Sequence, residues 1–422
     1  MEPQPTSTPA RRWAAVAFGI GLGLPITPME LAGIPLIFLT LVALRSDWRS
    51  LGSLVRHPFT IALLACIAWA GLALAWSTDP KHGLDELANA RWLWVILALW
   101  LAPHLARHVL TGIAIGYVLM HASQATQLAL QLMGNEWIAT KRLPDRVSGW
   151  SEPAVAGSLL CAVLGLHLPR GVWSTSWTSR ILAALALVGI IATGTRGAWI
   201  VAAAMLAGAV GILIILGIRS REQRARAIVV ALTGLVIVGG AAVALQDKIR
   251  SRVDEAEREI DAALTEGNKH TSTGGRIVML EWATQAIKAE PVIGVGTGGY
   301  RAWVNEQQAE QGINPNSQRV LDHAHNTYLH IGATQGTVGL ALFLTAAGLA
   351  LRNAWPRHPR DAGVLAAILG LLMIGMFDTV AVNAQTSALG VTLIACALAS
   401  RRLNHGPPCP AGPATPEGVS PP

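Results

Sequence analysis

The residues best placed to do chemistry lie in one short stretch, Asp322-His323-Ala324-His325-Asn326, directly ahead of a long apolar run. An imidazole changes charge near neutral pH, so it can accept a proton in one step and return it in the next. Two histidines one residue apart admit three readings: paired metal ligands, imidazoles with a structural role, or a general base. Further ligands are not evident, and the chain has no Asp-x-Asp pair of the kind that holds a divalent ion on a diphosphate. The general base is the favoured reading. His325 is preferred because it abuts the apolar run, with His323 and Asn326 supporting it. In that role it takes the proton of an attacking hydroxyl.

Such a reaction needs positive charge for its leaving group, and several basic residues stand where helix physics disfavours them. Thr271-Ser272-Thr273-Gly274-Gly275 suits a helix N-terminus, predicting a helix from Arg276 to Ala289 that Pro291 ends. An arginine in a first turn opposes the helix dipole unless an anion sits between them or a local salt bridge relieves it. Arg196 precedes another apolar run, and Lys141, Arg142 and Arg146 precede a third. Together with Arg276 they predict a cationic pocket for a lipid phosphate or diphosphate. Asp378, near the end of a further apolar run, is positioned to hold one of the arginines.

These residues must be positioned by a scaffold embedded in a bilayer. Hydrophobic residues make up 52% of the 422 and charged residues only 14%, with a mean hydropathy of +0.44. That composition excludes a cytosolic enzyme and a secreted disulfide scaffold. A spanning helix takes about 20 apolar residues. Twelve candidates emerge: Trp13–Leu24, Met29–Leu44, Phe59–Trp76, Arg91–Ala106, Val109–Met133, Pro153–Leu168, Ile181–Thr193, Gly197–Ile218, Ala227–Leu245, Asn326–Leu351, Gly363–Val380 and Val382–Ser400. The expected fold class is an all-α polytopic membrane protein with a large, mostly helical outer loop between spans nine and ten. The chain divides into a cytoplasmic tail (1–12), spans one to nine (13–245), the loop domain (246–325), spans ten to twelve (326–400) and a disordered cytoplasmic tail (401–422). The first span is expected to serve as an uncleaved anchor.

Charge supports that orientation. With both tails inside, 17 basic residues face the cytoplasm and six lie on short outer loops. The net charge of +7 is then +12 inside against −5 outside, so a pI of about 9.7 reports topology and gives no reason to expect nucleic acid as a partner.

Three patterns bear on the site. Asp247–Leu264 reads as a helix whose acidic face, including Glu255 and Glu259, is solvated surface. His121, Gln124, Gln127 and Gln131 form a polar stripe, read either as helix–helix hydrogen bonding or as a cavity wall leading toward Lys141–Arg146. Gly294–Gly299 formally matches a dinucleotide fingerprint but lacks the strand–helix setting, and reads instead as a loop that lets backbone approach a ligand.

Several motifs, in order, resemble the O-antigen ligase/polymerase superfamily: Thr193-Gly194-Thr195-Arg196-Gly197-Ala198-Trp199; Gly274-Gly275-Arg276 followed by Trp282; Pro291 to Gly296; and His325-Asn326-Thr327-Tyr328-Leu329 followed by Gly336 to Leu340. The resemblance covers roughly the second half of the chain. It implies a GT-C-like glycosyltransferase that uses no metal and no cofactor, on the periplasmic face of a Gram-negative inner membrane. The donor would be O-antigen on undecaprenyl diphosphate and, in the ligase branch, the acceptor would be the lipid A–core oligosaccharide. By the same resemblance His325 is the base and Arg196 and Arg276 contact the diphosphate, with Arg142 and Arg146 on a segment that lacks a sharp motif. The alternatives, in order, are an O-antigen polymerase, a protein O-oligosaccharyltransferase and a flippase or transporter of lipid-linked glycans.

Overall fold

The computed structural model describes residues 8–134, 146–174, 176–217, 240, 243, 246–264, 271–313 and 322–404. Among these every regular element is a helix, with no strand. Hydrocarbon offers backbone groups no partner, and a helix pairs them within its own segment. The helices are α1 (Pro9–Gly21), α2 (Ile26–Ser46), α3 (Ser50–Val55), α4 (Pro58–Leu72), α5 (Pro80–Leu87), α6 (Trp94–Leu101), α7 (Ala106–Leu132), α8 (Pro153–Trp173), α9 (Trp177–Ala192), α10 (Arg196–Gly217), α11 (Gln246–Leu264), α12 (Ser272–Ala289), α13 (Tyr300–Glu310), α14 (Thr327–Ala354), α15 (Gly363–Ile374) and α16 (Ala384–Asn404). Proline opens α1, α4, α5 and α8, where its missing N–H costs nothing.

Among the described residues, five stretches are long and apolar enough to cross a membrane: Ile26–Arg45, Pro58–Trp76, Pro103–Leu132, Pro153–Trp173 and Thr327–Ala354. Trp177–Ala192, Arg196–Ile212 and Gly363–Ile374 are shorter apolar helices. Most of the ninth expected span and residues 405–422 lie outside the described residues. The helix α1 begins at Pro9, four residues ahead of the first expected span.

The helix α8 forms the centre of the bundle, packed against α9, α10 and α15, with nearly every residue from Val155 to Gly165 buried. Lipid supplies no hydrophobic drive between helices, so close backbone approach must hold them together. The contact of α1 with α7 shows how: a Cβ on Gly19, Gly112 or Gly116 would fall onto the backbone of the facing helix.

Three expected elements break. The expected span Arg91–Ala106 divides into a 3-10 turn at Ala88–Leu93, the helix α6, and a second 3-10 turn that starts at Pro103. The expected span Gly363–Val380 ends at Ile374, and residues 375–383 leave helical geometry. Within α14 the backbone turns sharply at Gly336, whose φ is 67° and ψ −169°. Into that turn fits the loop 290–299. Val295 N–H donates to Ala333 O (2.9 Å), Gly296 N–H to Thr334 O (2.9 Å), and Thr337 N–H returns a bond to Pro291 O (2.9 Å). Trp69 and Trp76 donate indole N–H groups to Gln335 O (2.9 Å) and Gly294 O (3.1 Å). The glycines therefore allow close approach to the chain's own backbone, not to a ligand: Cβ atoms at Gly294, Gly296 and Gly298 would strike Thr334, Ser77 and Gly83.

Gly336→Ala places a Cβ on the Val292 carbonyl in a backbone region open to glycine. Thermal or denaturant unfolding of the purified protein is expected to show a loss of about 1–3 kcal/mol. Gly348→Ala, in open space on the same helix, is expected to change little.

Candidate active site

The break after α15 builds the site. Thr327 N–H donates to Gly375 O (2.7 Å), and the Asn326 amide donates to Met376 O (3.0 Å). Thr327 Oγ1 donates to Asp378 O (2.9 Å) and accepts from Val380 N–H (3.0 Å). Asn326 Oδ1 accepts from Tyr328 and Leu329 N–H (both 3.0 Å), capping α14. One end of α14 is thus stitched to the unwound residues after α15, and this fixes the residue before the cap, His325.

His325 has a φ of 48°, a left-handed conformation that costs a residue with a Cβ. It places Nδ1 3.1 Å from Asp378 Oδ1. Burial alone would push the Asp378 carboxyl up. The bond and charge of His325, with the Thr379 amide donating to the same oxygen (2.8 Å), outweigh that and hold it below its ordinary value. An ionised carboxylate only accepts, so the shared hydrogen resides on His325 Nδ1, and Nε2 is the ring nitrogen that Asp378 does not engage. The expectation that Asp378 would hold an arginine is thereby changed: its partner by hydrogen bond is His325.

The His323 ring lies edge-on to that of His325, with centroids 4.5 Å apart, and its Nδ1 pairs with Thr379 Oγ1 (3.2 Å). Burial first, and then the neighbouring imidazoles His325 and His330, push His323 down to about 4, against the pull of Asp378 and Asp322. Donor atoms of His323, His325 and Asp378 lie within 4.8 Å of one another, a spacing that suits a divalent cation. Binding one through Nδ1 of His325 would cost its bond to Asp378.

Arg276 opens onto a small cleft together with Asp378, Phe377, Thr195, Gly197, Ala154 and Ser158. The cleft therefore brings together one arginine, the carboxylate that orients His325, and the N-terminal turns of α8 and α10. The helix carrying Arg276 starts four residues earlier than expected, because Thr271 Oγ1 accepts from Gly274 N–H (2.9 Å) and caps it. Arg276 is consequently its fifth residue and lies outside the first turn.

The first turn is met by Arg196 instead, whose Nη1 donates to Thr273 Oγ1 (2.9 Å). Arg196 also pairs with Glu259 (3.4 Å) and Glu255 (3.6 Å). The acidic face of α11 thus turns partly inward, with the Glu259 side chain only 12% exposed. Sequence reasoning missed both partners; their four-residue spacing on one helix face was the available signal.

Arg142 lies outside the described residues. Arg146 begins a segment held by the polar stripe: Gln127 donates to Arg146 O (2.9 Å) and accepts from Ser148 and Gly149 N–H (2.9 and 2.8 Å). Gln124 donates to Val147 O (3.0 Å). The stripe is neither of the two alternatives in pure form, since it docks a loop. Val147 N–H reaches Ala192 O (2.9 Å) and Thr195 Oγ1 reaches Pro153 O (2.9 Å), joining this segment to the one that carries Arg196.

Residues 181–344 match the O-antigen ligase family. That stretch takes in Arg196, Arg276, His323, His325 and Asn326, while Arg146 and Asp378 lie outside it. The chain is also similar to an uncharacterized protein of Haemophilus influenzae, at 30% identity over 163 residues. That likeness covers 38% of this chain and 39% of the relative, so the chain spans about two-fifths of the length of the relative it matches. Two residues of the matched stretch, His325 and Arg276, are linked through Asp378, which bonds the first and lines a cleft with the second.

His323 is disfavoured as a cation in the folded protein, with a value near 4 against an ordinary 6.5. An unfolded chain binds that proton and the folded one does not, so the site's contribution is full above about pH 6.5 and is lost as pH falls toward 4. Thermal unfolding followed from pH 7 to pH 4 is expected to show a shallower acid loss in His323→Gln than in the parent chain.

Proposed function

We propose that this chain is a membrane glycosyltransferase of the ligase type, with twelve spans, both tails in the cytoplasm, and a GT-C-like arrangement. It would act at the periplasmic face of a Gram-negative inner membrane, moving O-antigen from undecaprenyl diphosphate to a sugar hydroxyl of lipid A–core. The observation that carries this reading is the Asp378–His325 pair beside a cleft that also holds Arg276. In the proposed step, the acceptor oxygen bonds to the anomeric carbon while its proton passes to Nε2 of His325. The bond from that carbon to the diphosphate oxygen breaks on the opposite face, its electrons leave with the diphosphate, and the anomeric centre inverts. Asp378 orients the imidazole and stabilises it once protonated. Arg276 and Arg196, with Arg146 on the neighbouring segment and Arg142 just ahead of it in sequence, meet the growing negative charge. His323, neutral at working pH, adds no competing positive charge beside the base.

His325→Ala is expected to lower kcat by about 100- to 10,000-fold, the usual worth of a general base. Asp378→Asn is expected to cost about 10- to 100-fold through lost orientation. Arg196→Ala and Arg276→Ala should weaken donor binding as well as turnover. Release of undecaprenyl diphosphate by purified protein, with and without EDTA, measures all four. Full activity in His325→Ala removes the base. Turnover lost to EDTA and restored by a divalent ion would reassign His323, His325 and Asp378 as metal ligands.

The mass of the product with lipid A–core supplied tests the acceptor. A single glycan joined to the core is expected; extension of one lipid-linked glycan by another would identify a polymerase.

A further inference from the structure

One oxygen, Glu259 Oε2, gathers three donors. It accepts from Arg196 Nη1 (3.4 Å), from Thr273 N–H (3.2 Å) and from the Thr273 hydroxyl. The Thr273 amide belongs to the first turn of α12, where no carbonyl of the same helix can serve it. A guanidinium, a first-turn amide and a hydroxyl closing on one anionic oxygen form the donor set that phosphate oxygens take. Here a side-chain carboxylate takes it. The pair is largely shielded, with Arg196 24% and Glu259 12% exposed, while Glu255 bonds the other guanidinium nitrogen from a more open position at 39%.

Two carboxylates from one face of α11 therefore lie on the arginine proposed to contact the donor's diphosphate. A ligand must displace Glu259 to reach those donors, and Arg196 cannot serve both anions fully at once. The exchange favours a ligand carrying more charge than the carboxylate it replaces. A diphosphate brings enough to bridge beyond this position toward the cleft of Arg276; a monophosphate replaces one anionic group with another.

We propose that Glu259 is a specificity-determining residue: an internal competitor that occupies a phosphate position of the donor site and selects polyprenyl diphosphates over polyprenyl monophosphates. This rests on the reading of Arg196 as a donor contact. It also gives the acidic face of α11 a task, since its removal from Arg196 accompanies donor entry.

The test uses the full chain in lipid nanodiscs, with binding of a polyprenyl diphosphate and of the matching monophosphate measured by calorimetry. Glu259→Gln keeps the side chain's size and removes its charge. It is expected to tighten both ligands by about three- to tenfold, the monophosphate more, so that discrimination narrows. Glu255→Gln should give a smaller change. Unchanged or weaker diphosphate binding in Glu259→Gln overturns the proposal, because Glu259 then only orders Arg196. Should Glu259→Gln fold poorly, Glu259→Asp withdraws the carboxylate by one methylene and should give an intermediate gain; binding equal to the parent chain overturns the proposal. Arg196→Ala separates the two layers. Weakened diphosphate binding there, with no gain in Glu259→Gln, leaves the donor reading standing and removes only the competitor. Parent-like binding in Arg196→Ala removes both.

Discussion

Unpaired backbone is the cost that shapes this fold. In hydrocarbon an N–H or C=O group without a partner costs several kcal/mol, so an interrupted helix must find a second interruption that completes it. The chain does this twice around the same element. At one end of α14, Thr327 and Asn326 bond the carbonyls of Gly375, Met376 and Asp378. Farther along, the turn at Gly336 exchanges backbone bonds with Pro291, Val295 and Gly296. Both junctions are irregular because irregular backbone can place side chains where a continuous helix cannot. His325 and Asp378 owe their contact to the first of them.

The electrostatics follow from that placement. Burial opposes an ionised Asp378, and its hydrogen bonds to His325 and Thr379 overcome the opposition. The same burial keeps His323 neutral. One imidazole is thereby tied to a carboxylate while its neighbour carries no charge, a division of roles that two adjacent histidines in water would lack. The arginines are also held in check. Arg196 spends its charge on Glu259 and Glu255, so the cleft is less positive than the sequence suggests.

Composition and apolar periodicity were enough to read an all-helical chain with apolar crossings, because the bilayer enforces a simple rule on long segments. Arg196, Arg276 and His325 stood out as candidates in the sequence because they sit at polar interruptions where apolar pattern stops. What sequence could not supply was pairing. Asp378 could have met an arginine or a histidine, and only the early end of α15 decides between them. The helix of Arg276 began sooner than expected because Gly274 and Gly275, poor helix formers, are tolerated once Thr271 caps the turn. Glu259 looked like a solvated acid because its partner lies 63 positions away. Gln127 and Gln124 were visible as a stripe, but their target was the backbone of residues 146–149, which carries no sequence signature.

The clasp between the loop 290–299 and the turn at Gly336 has a mechanical meaning. That loop follows directly on α12, which bears Arg276, and the turn belongs to α14, whose start holds His325. A displacement of one helix relative to the other must break or bend these backbone hydrogen bonds. The segments that carry Arg276 and His325 are therefore joined backbone to backbone. The contact of α11 with Arg196 is of another kind, since it runs through the Glu255 and Glu259 side chains.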